Sequence, residues 1–186
     1  MVVEKAKKII LRFRGYRNPQ AYWDLRWKLA LKAEEWGIGQ LENEFAEINT
    51  LMKTYDCHSI LDVGCGKAML KNLKGYVGFD FSQEATKQSK LSNYYIGNIA
   101  DPTCPLPSKS FDAILSRFCL LHIPFKQINY ATQNMMQIAK KLIILREPQA
   151  PIPKQTHFHC YTHNLGELFK PFKGKLWFLG SNPYGL

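Results

Sequence analysis

The sequence predicts an α/β protein: a doubly wound, mainly parallel sheet behind an N-terminal helical extension. Two observations carry this prediction. Up to Tyr55 the apolar residues recur at helical spacing, and after it short apolar runs alternate with helical stretches. Strands separated by helices pair in parallel, with the helices covering both faces of the sheet. A length of 186 residues with 46% hydrophobic content provides one full core and argues against disorder.

Residues 2–14 place Val2, Ala6, Ile9, Ile10 and Phe13 on one face, with basic residues around them. After Gly15, Asn18-Pro19 reads as an N-cap followed by proline in the first turn. The helix that follows, AYWDLRWKLALKAEEW, is expected to end at Gly37. A third helix, LENEFAEINTLMKTY, carries Leu41, Phe45, Ile48, Met52 and Tyr55 on one stripe. The strands are expected at SILDV (59–63), YVGFD (76–80), NYYIG (93–97), FDAILS (111–116), KLIILR (141–146) and KLWFLG (175–180), with the clearest helix from Pro124 to Lys140. The division falls after residue 55: residues 1–55 form the extension and 56–186 the core. In such a sheet a ligand sits at the carboxyl ends of the strands.

The net charge is +10, and six basic side chains (Lys5, Lys7, Lys8, Arg12, Arg14, Arg17) stand against Glu4 within the first 17 residues. A basic end argues for an anionic neighbour there, not for a domain wrapped in nucleic acid. That neighbour could be an anionic membrane surface; the competing reading is a solvated helix face. No apolar run approaches the ~18–20 residues of a membrane span. The basic N-terminus lacks the apolar segment of a secretory signal, so a cytoplasmic protein, peripheral at a membrane at most, is expected. Cys57, Cys65, Cys104, Cys119 and Cys160 are odd in number and unpaired in spacing, which suits reduced thiols. His157, His159, Cys160 and His163 cluster in sequence, but they show no carboxylate neighbour and no set of converging ligands, so no metal is expected.

ILDVGCGKAML (60–70) is the most informative stretch. An apolar strand ends in Asp62 and enters Gly64-Cys65-Gly66 before an expected short helix, whose N-terminus would offer free amides. Glycines there allow a tight bend and close approach of a ligand. A dinucleotide fingerprint is disfavoured because its third glycine is Met69, and a phosphate loop fails on spacing at Gly66-Lys67-Ala68. A plain strand–helix connector stays open on the turn alone. Sixteen residues after Gly64, the next strand ends in Asp80, placed to accept from both hydroxyls of a ribose; the competing reading is a helix N-terminal acid.

Taken together, ILDVGCG, YVGFDFS, GNIADPTCPLPSKSFDAILS and LLHIP resemble class I S-adenosylmethionine-dependent methyltransferases, especially the small-molecule, type 11-like branch. The resemblance covers roughly residues 56–147. It implies a Rossmann-like fold and S-adenosylmethionine as cofactor. Gly64, Cys65 and Gly66 would pass beside its methionine part, Asp80 would hold the ribose and Phe81 would pack on the adenine. Asn98 and Ile99 would bracket the adenine edge, and Ser116 and Arg117 would line the methionine end. Asp62 would order the glycine loop or reach the amino group. In similar enzymes an N-terminal aromatic segment closes over the cofactor; Tyr22 and Arg26 would do so here, the arginine pairing with the methionine carboxylate, against a competing reading as core aromatics. Two departures stand out: Ala68 where the family has a third glycine, and Asn98 where it often has Asp. The fold usually ends with one more antiparallel strand. After KLWFLG that strand is missing, unless residues 155–161 supply it or the chain is shortened.

Methyl transfer from a sulfonium is an in-line displacement whose activation resides in the cofactor, so alignment and exclusion of water are the protein's main tasks. His122, in the loop after the fourth strand, is the candidate catalytic base; the competing reading is a packing histidine in Leu-His-Ile-Pro. Ser116-Arg117-Phe118-Cys119 replaces the Asn/Asp-Pro-Pro-aromatic motif of base-amine methylation, and Cys119 is a weak candidate for cytosine chemistry. A small-molecule, sugar or lipid-linked acceptor therefore ranks first. An RNA or protein methyltransferase, or a non-catalytic binding domain that keeps the fold, are the alternatives.

Overall fold

The computed structural model describes residues 18–29 and 41–179. The basic helix expected over 2–14 and the helix end expected at Gly37 lie outside them. Helix α1 (Pro19–Lys28) begins as the sequence indicates: the Asn18 side chain accepts from Ala21 N–H at 3.0 Å, with proline in the first turn. Helix α2 (Leu41–Thr54) buries Glu44, Ile48, Leu51 and Met52.

Six strands form one sheet in the order β3-β2-β1-β4-β5-β8, and every pairing in it is parallel. They are β1 (Ile60–Val63), β2 (Tyr76–Asp80), β3 (Tyr94–Ile96), β4 (Phe111–Arg117), β5 (Ala139–Arg146) and β8 (Lys175–Phe178). Alternation along the strands divides the core between the two faces. Leu61, Val63, Ile114, Ile143 and Leu145 face one layer with Met135 and Ile138 of α4 (Ile128–Ile138). Ile60, Ala113, Leu115, Leu142 and Ile144 face the other, with Ile48, Leu51 and Met52 of α2. Strands buried on both sides read as continuous apolar runs, which is why β1, β2, β4 and β5 fall where the sequence places them. The edge strand β3 differs, with Tyr94, Tyr95 and Ile96 all exposed.

Two expectations are corrected. No helix follows the glycine turn: residues 64–75 run as successive turns held by Ala68 N–H to Cys65 C=O and Lys71 N–H to Ala68 C=O. Ala68 has φ +55°, a left-handed conformation that breaks helical propagation, so no helix N-terminus lies here. Residues 155–161 do not supply a further strand of the main sheet. They form a separate antiparallel hairpin of β6 (Lys154–His157) and β7 (Cys160–Thr162), followed by the single-turn α5 (Leu165–Leu168).

The chain order reverses between β1 and β4, and α2 is tied to β4 and β5 beside that point by an ion-pair network. Glu44 is buried and accepts from Arg117 Nε at 2.6 Å and Arg146 Nε at 3.0 Å, joining the helix to the ends of β4 and β5. Removing one member of a buried network strands the others. Glu44→Ala is expected to lower the stability to urea by about 3 kcal/mol, and a loss under about 1 kcal/mol would show that water replaces the carboxylate.

Candidate functional site

At the carboxyl end of β1 the chain bends through Gly64 (φ +73°) and Gly66 (φ +52°). Asp80, at the tip of β2, fixes that bend. Its Oδ2 accepts from Gly66 N–H at 2.9 Å and its Oδ1 from Ser82 N–H at 2.8 Å. Burial raises the Asp80 pKa, while the two amides favour the charged form. Asp62, one strand over, accepts from the Tyr76 hydroxyl at 2.6 Å, and burial pushes it up to about 7. At the end of β2, Ser82 caps α3 (Gln83–Ser89) through Ala85 N–H.

The loop after β4 is built around Glu147. This buried carboxylate accepts from Ser116 Oγ at 2.7 Å and from the backbone of Cys119, Leu120 and Leu121 at 2.8–3.3 Å. It thereby caps the short 3-10 turn Leu120–His122. Phe118 takes φ +52°, rare for a bulky residue, and turns the chain so that Cys119 enters the space where a Gly64 side chain would stand. His122 ends this turn, its ring 4.7 Å from Trp23 and 5.1 Å from His159. Burial drives His122 down to about 3 and His159 to about 4.

Helix α1 lies across the crevice. Trp27 stands over the glycine turn so closely that a Cβ at Gly66 would be 2.9 Å from its ring. Tyr22 and Trp23 pack with Phe81. Asp24 accepts from Ser82 Oγ at 2.6 Å and Glu84 N–H at 3.2 Å, and Gln88 reaches Trp27 C=O at 3.0 Å. A cavity of about 90 Å³ persists beneath the helix. Its lining includes Arg26, Asp62, Gly64, Gly66 and Arg117, so two basic residues and one acidic residue border it.

Of the residues singled out by sequence, Arg26, Asp62, Gly64, Cys65, Gly66 and Arg117 converge on this cavity. Asp80 touches it through Gly66. Phe81 packs beside it against the cluster of Tyr22 and Trp23, and Tyr22 also receives Arg26 Nη1 at 3.1 Å. Ser116 is turned to Glu147 and Arg117 to Glu44. Asn98 is exposed and accepts from Ala100 N–H at 2.9 Å, whereas the Ile99 side chain belongs to the core. Sequence reasoning placed Trp27 only within the aromatic segment 22–27, and it missed Glu44, Glu147 and the inward placement of Cys119, whose partners lie far away along the chain.

The Asp62 shift fixes the sign of one pH effect. A folded-state pKa of about 7, against about 3.9 when unfolded, means the folded protein holds this proton more tightly in between. The resulting stabilisation is complete below about pH 4 and is lost as the pH rises through about 7. Denaturant titrations of wild type and Asp62→Asn at pH 5 and pH 8 should therefore show the balance moving toward the variant at pH 8, by more than about 1 kcal/mol. An unchanged difference would place the Asp62 pKa near the ordinary carboxylate range.

Residues 61–143 match the family described as a methyltransferase domain. Among solved structures, the [4+2]-cyclase SpnF has a TM-score of 0.51 at 16% identity, covering 67% of this chain and 56% of that one. CalS10, an amino pentose methyltransferase from Micromonospora echinaspora, has a TM-score of 0.46 at 16% identity, covering 53% of this chain and 46% of that chain. A SAM-dependent methyltransferase from Archaeoglobus fulgidus has a TM-score of 0.41 at 16% identity, covering 52% and 49%. The chain thus spans about half the length of these structures. No curated protein matches. Among the described residues no helix is long and apolar enough to cross a membrane. The matched stretch runs from β1 into β5 of the Rossmann-like sheet and includes the glycine turn, so this part of the chain is similar to a methyltransferase domain.

Proposed function

We propose that this protein transfers a methyl group from S-adenosylmethionine to a small-molecule acceptor, a sugar or lipid-linked compound among them. The observation that carries the reading is the meeting of Asp62, Arg26 and Arg117 around the glycine turn. An amino acid end with one ammonium and one carboxylate needs that donor set, so the residues fit the methionine part of the cofactor. The nucleoside part is covered: the cavity of about 90 Å³ is well short of the ~300–1,000 Å³ of ordinary small-molecule sites. In this reading α1 is a lid that shifts to admit the ribose to Asp80 and the adenine to Phe81 and Asn98. Ile99 contributes backbone only, and Ser116 holds Glu147 and the loop that seals the site.

When bound, the cofactor supplies a methyl group already activated on a sulfonium. The chain's residues orient the two reactants and exclude water, with Trp23, Trp27 and Cys119 as the apolar walls. His122, neutral and weakly basic, suits an acceptor that already carries a free lone pair better than an alcohol that must lose its proton. A basic N-terminal segment would bring an anionic acceptor or surface to the cleft.

Calorimetry with S-adenosylmethionine tests the reading. Wild type should bind, and Asp80→Ala should weaken binding at least tenfold. Stopped-flow association should be several-fold faster for Trp27→Ala, which uncovers Gly66. Failure of wild type to bind would leave a non-catalytic domain with this fold. Labelled methyl appearing in protein or RNA instead of the small-molecule fraction would overturn the acceptor class.

A further inference from the structure

The tip of the β6–β7 hairpin carries His159 and Cys160 inward, onto the 3-10 turn that ends in His122. One ligand atom from each of these three side chains lies within 4.8 Å of the other two. His122 Nδ1 is already 3.8 Å from Cys160 Sγ, and the His122 and His159 rings stack with centroids 5.1 Å apart. Tetrahedral zinc binds nitrogen and sulfur at ~2.0–2.3 Å, which puts bound ligand atoms about 3.3–3.8 Å apart. The set is therefore about an ångström wider than a closed one, a gap that side-chain rotation can cover.

A second observation points the same way. His159 Nδ1 is shielded from solvent and has no hydrogen-bond partner, while His159 Nε2 faces the Tyr22 hydroxyl at 3.4 Å. A buried ring nitrogen left unpaired costs about 1–3 kcal/mol, so something ordinarily satisfies it. A third observation concerns the hairpin itself. β6 is exposed along its whole length, and neither strand pairs with the six-stranded sheet. Two-stranded hairpins are marginal alone and need an anchor.

We propose that His122, His159 and Cys160 bind a divalent cation of borderline softness, zinc by class, which pins the hairpin to the loop after β4. Two imidazoles and one thiolate are a ligand set that selects such an ion over magnesium or calcium. The ion replaces the proton that His122 Nδ1 now shares with the His159 carbonyl at 3.0 Å. Three protein ligands leave a fourth tetrahedral position for water or an exogenous ligand. None of the three ligands lines the cavity beneath α1.

Cobalt(II) added to the chelator-treated full chain tests this. One equivalent should bind, with tetrahedral visible bands and a thiolate-to-cobalt charge-transfer absorption, and zinc should displace it. Cys160→Ser should lose the charge-transfer absorption, His159→Asn (a residue suited to the two-residue hairpin turn) should weaken binding at least tenfold, and Cys104→Ser should retain both. Because a hairpin variant could misfold, zinc is also added to wild type, whose melting temperature should rise by several degrees. No rise with zinc, no cobalt binding at 100 µM (about the weakest affinity of a useful site), or an undiminished thiolate band in Cys160→Ser each overturns the proposal.

Discussion

The geometry of the crevice depends on one buried carboxylate. Asp80 bonds the amide of Gly66 with one oxygen and that of Ser82 with the other, so the bend after β1 and the loop after β2 share a single anchor. Both strands are held parallel by their ladder, and its last bonds run from Gly64 and Cys65 N–H to Phe79 C=O. Beyond them the backbone needs other acceptors, and a charged one buried in a low dielectric is the strongest available. The neighbouring switch in chain order repeats the device with Glu147, whose oxygens gather the loop after β4. Two acids thus set the two walls of the cleft.

Over these walls lies a helix that is more than a cover. Asp24 supplements Ser82 as an acceptor at the start of α3, and Trp27 rests where Gly66 has no side chain. A closed ground state of this kind lowers apparent affinity in proportion to the fraction of molecules that are open. With α1 as the proposed lid, opening is also the step at which a ligand's identity is sensed.

The main sheet was legible because strands buried on both faces cannot be polar: ILDV, AILS and LIILR announce themselves. The β6–β7 hairpin was not, since KQTH is polar and exposed throughout. The turns after β1 were misread as helix because Ala68, Met69 and Leu70 are helix formers, and only the backbone reveals Ala68 at positive φ. In the site, Asp62, the glycines and Asp80 stand at spacings fixed by strand length, so sequence could find them. Glu44 meets Arg146 across 102 residues, and Cys119 meets Gly64 only through the sheet. The same limit hid the meeting of His122 with His159 and Cys160, which no count within residues 157–163 could include.

Tyr94, Tyr95 and Ile96 on the outermost strand have a bearing on how the protein behaves in a test tube. A strand edge left unpaired among the described residues and flanked by large apolar side chains is adhesive toward another copy of itself. A net charge of +10 keeps copies apart while the counter-ion cloud is thick, and that repulsion shortens to about 3 Å at 1 M salt. Concentrated salt should thus drive this protein to self-associate edge to edge, and dilute buffer should keep its colloidal dispersion intact.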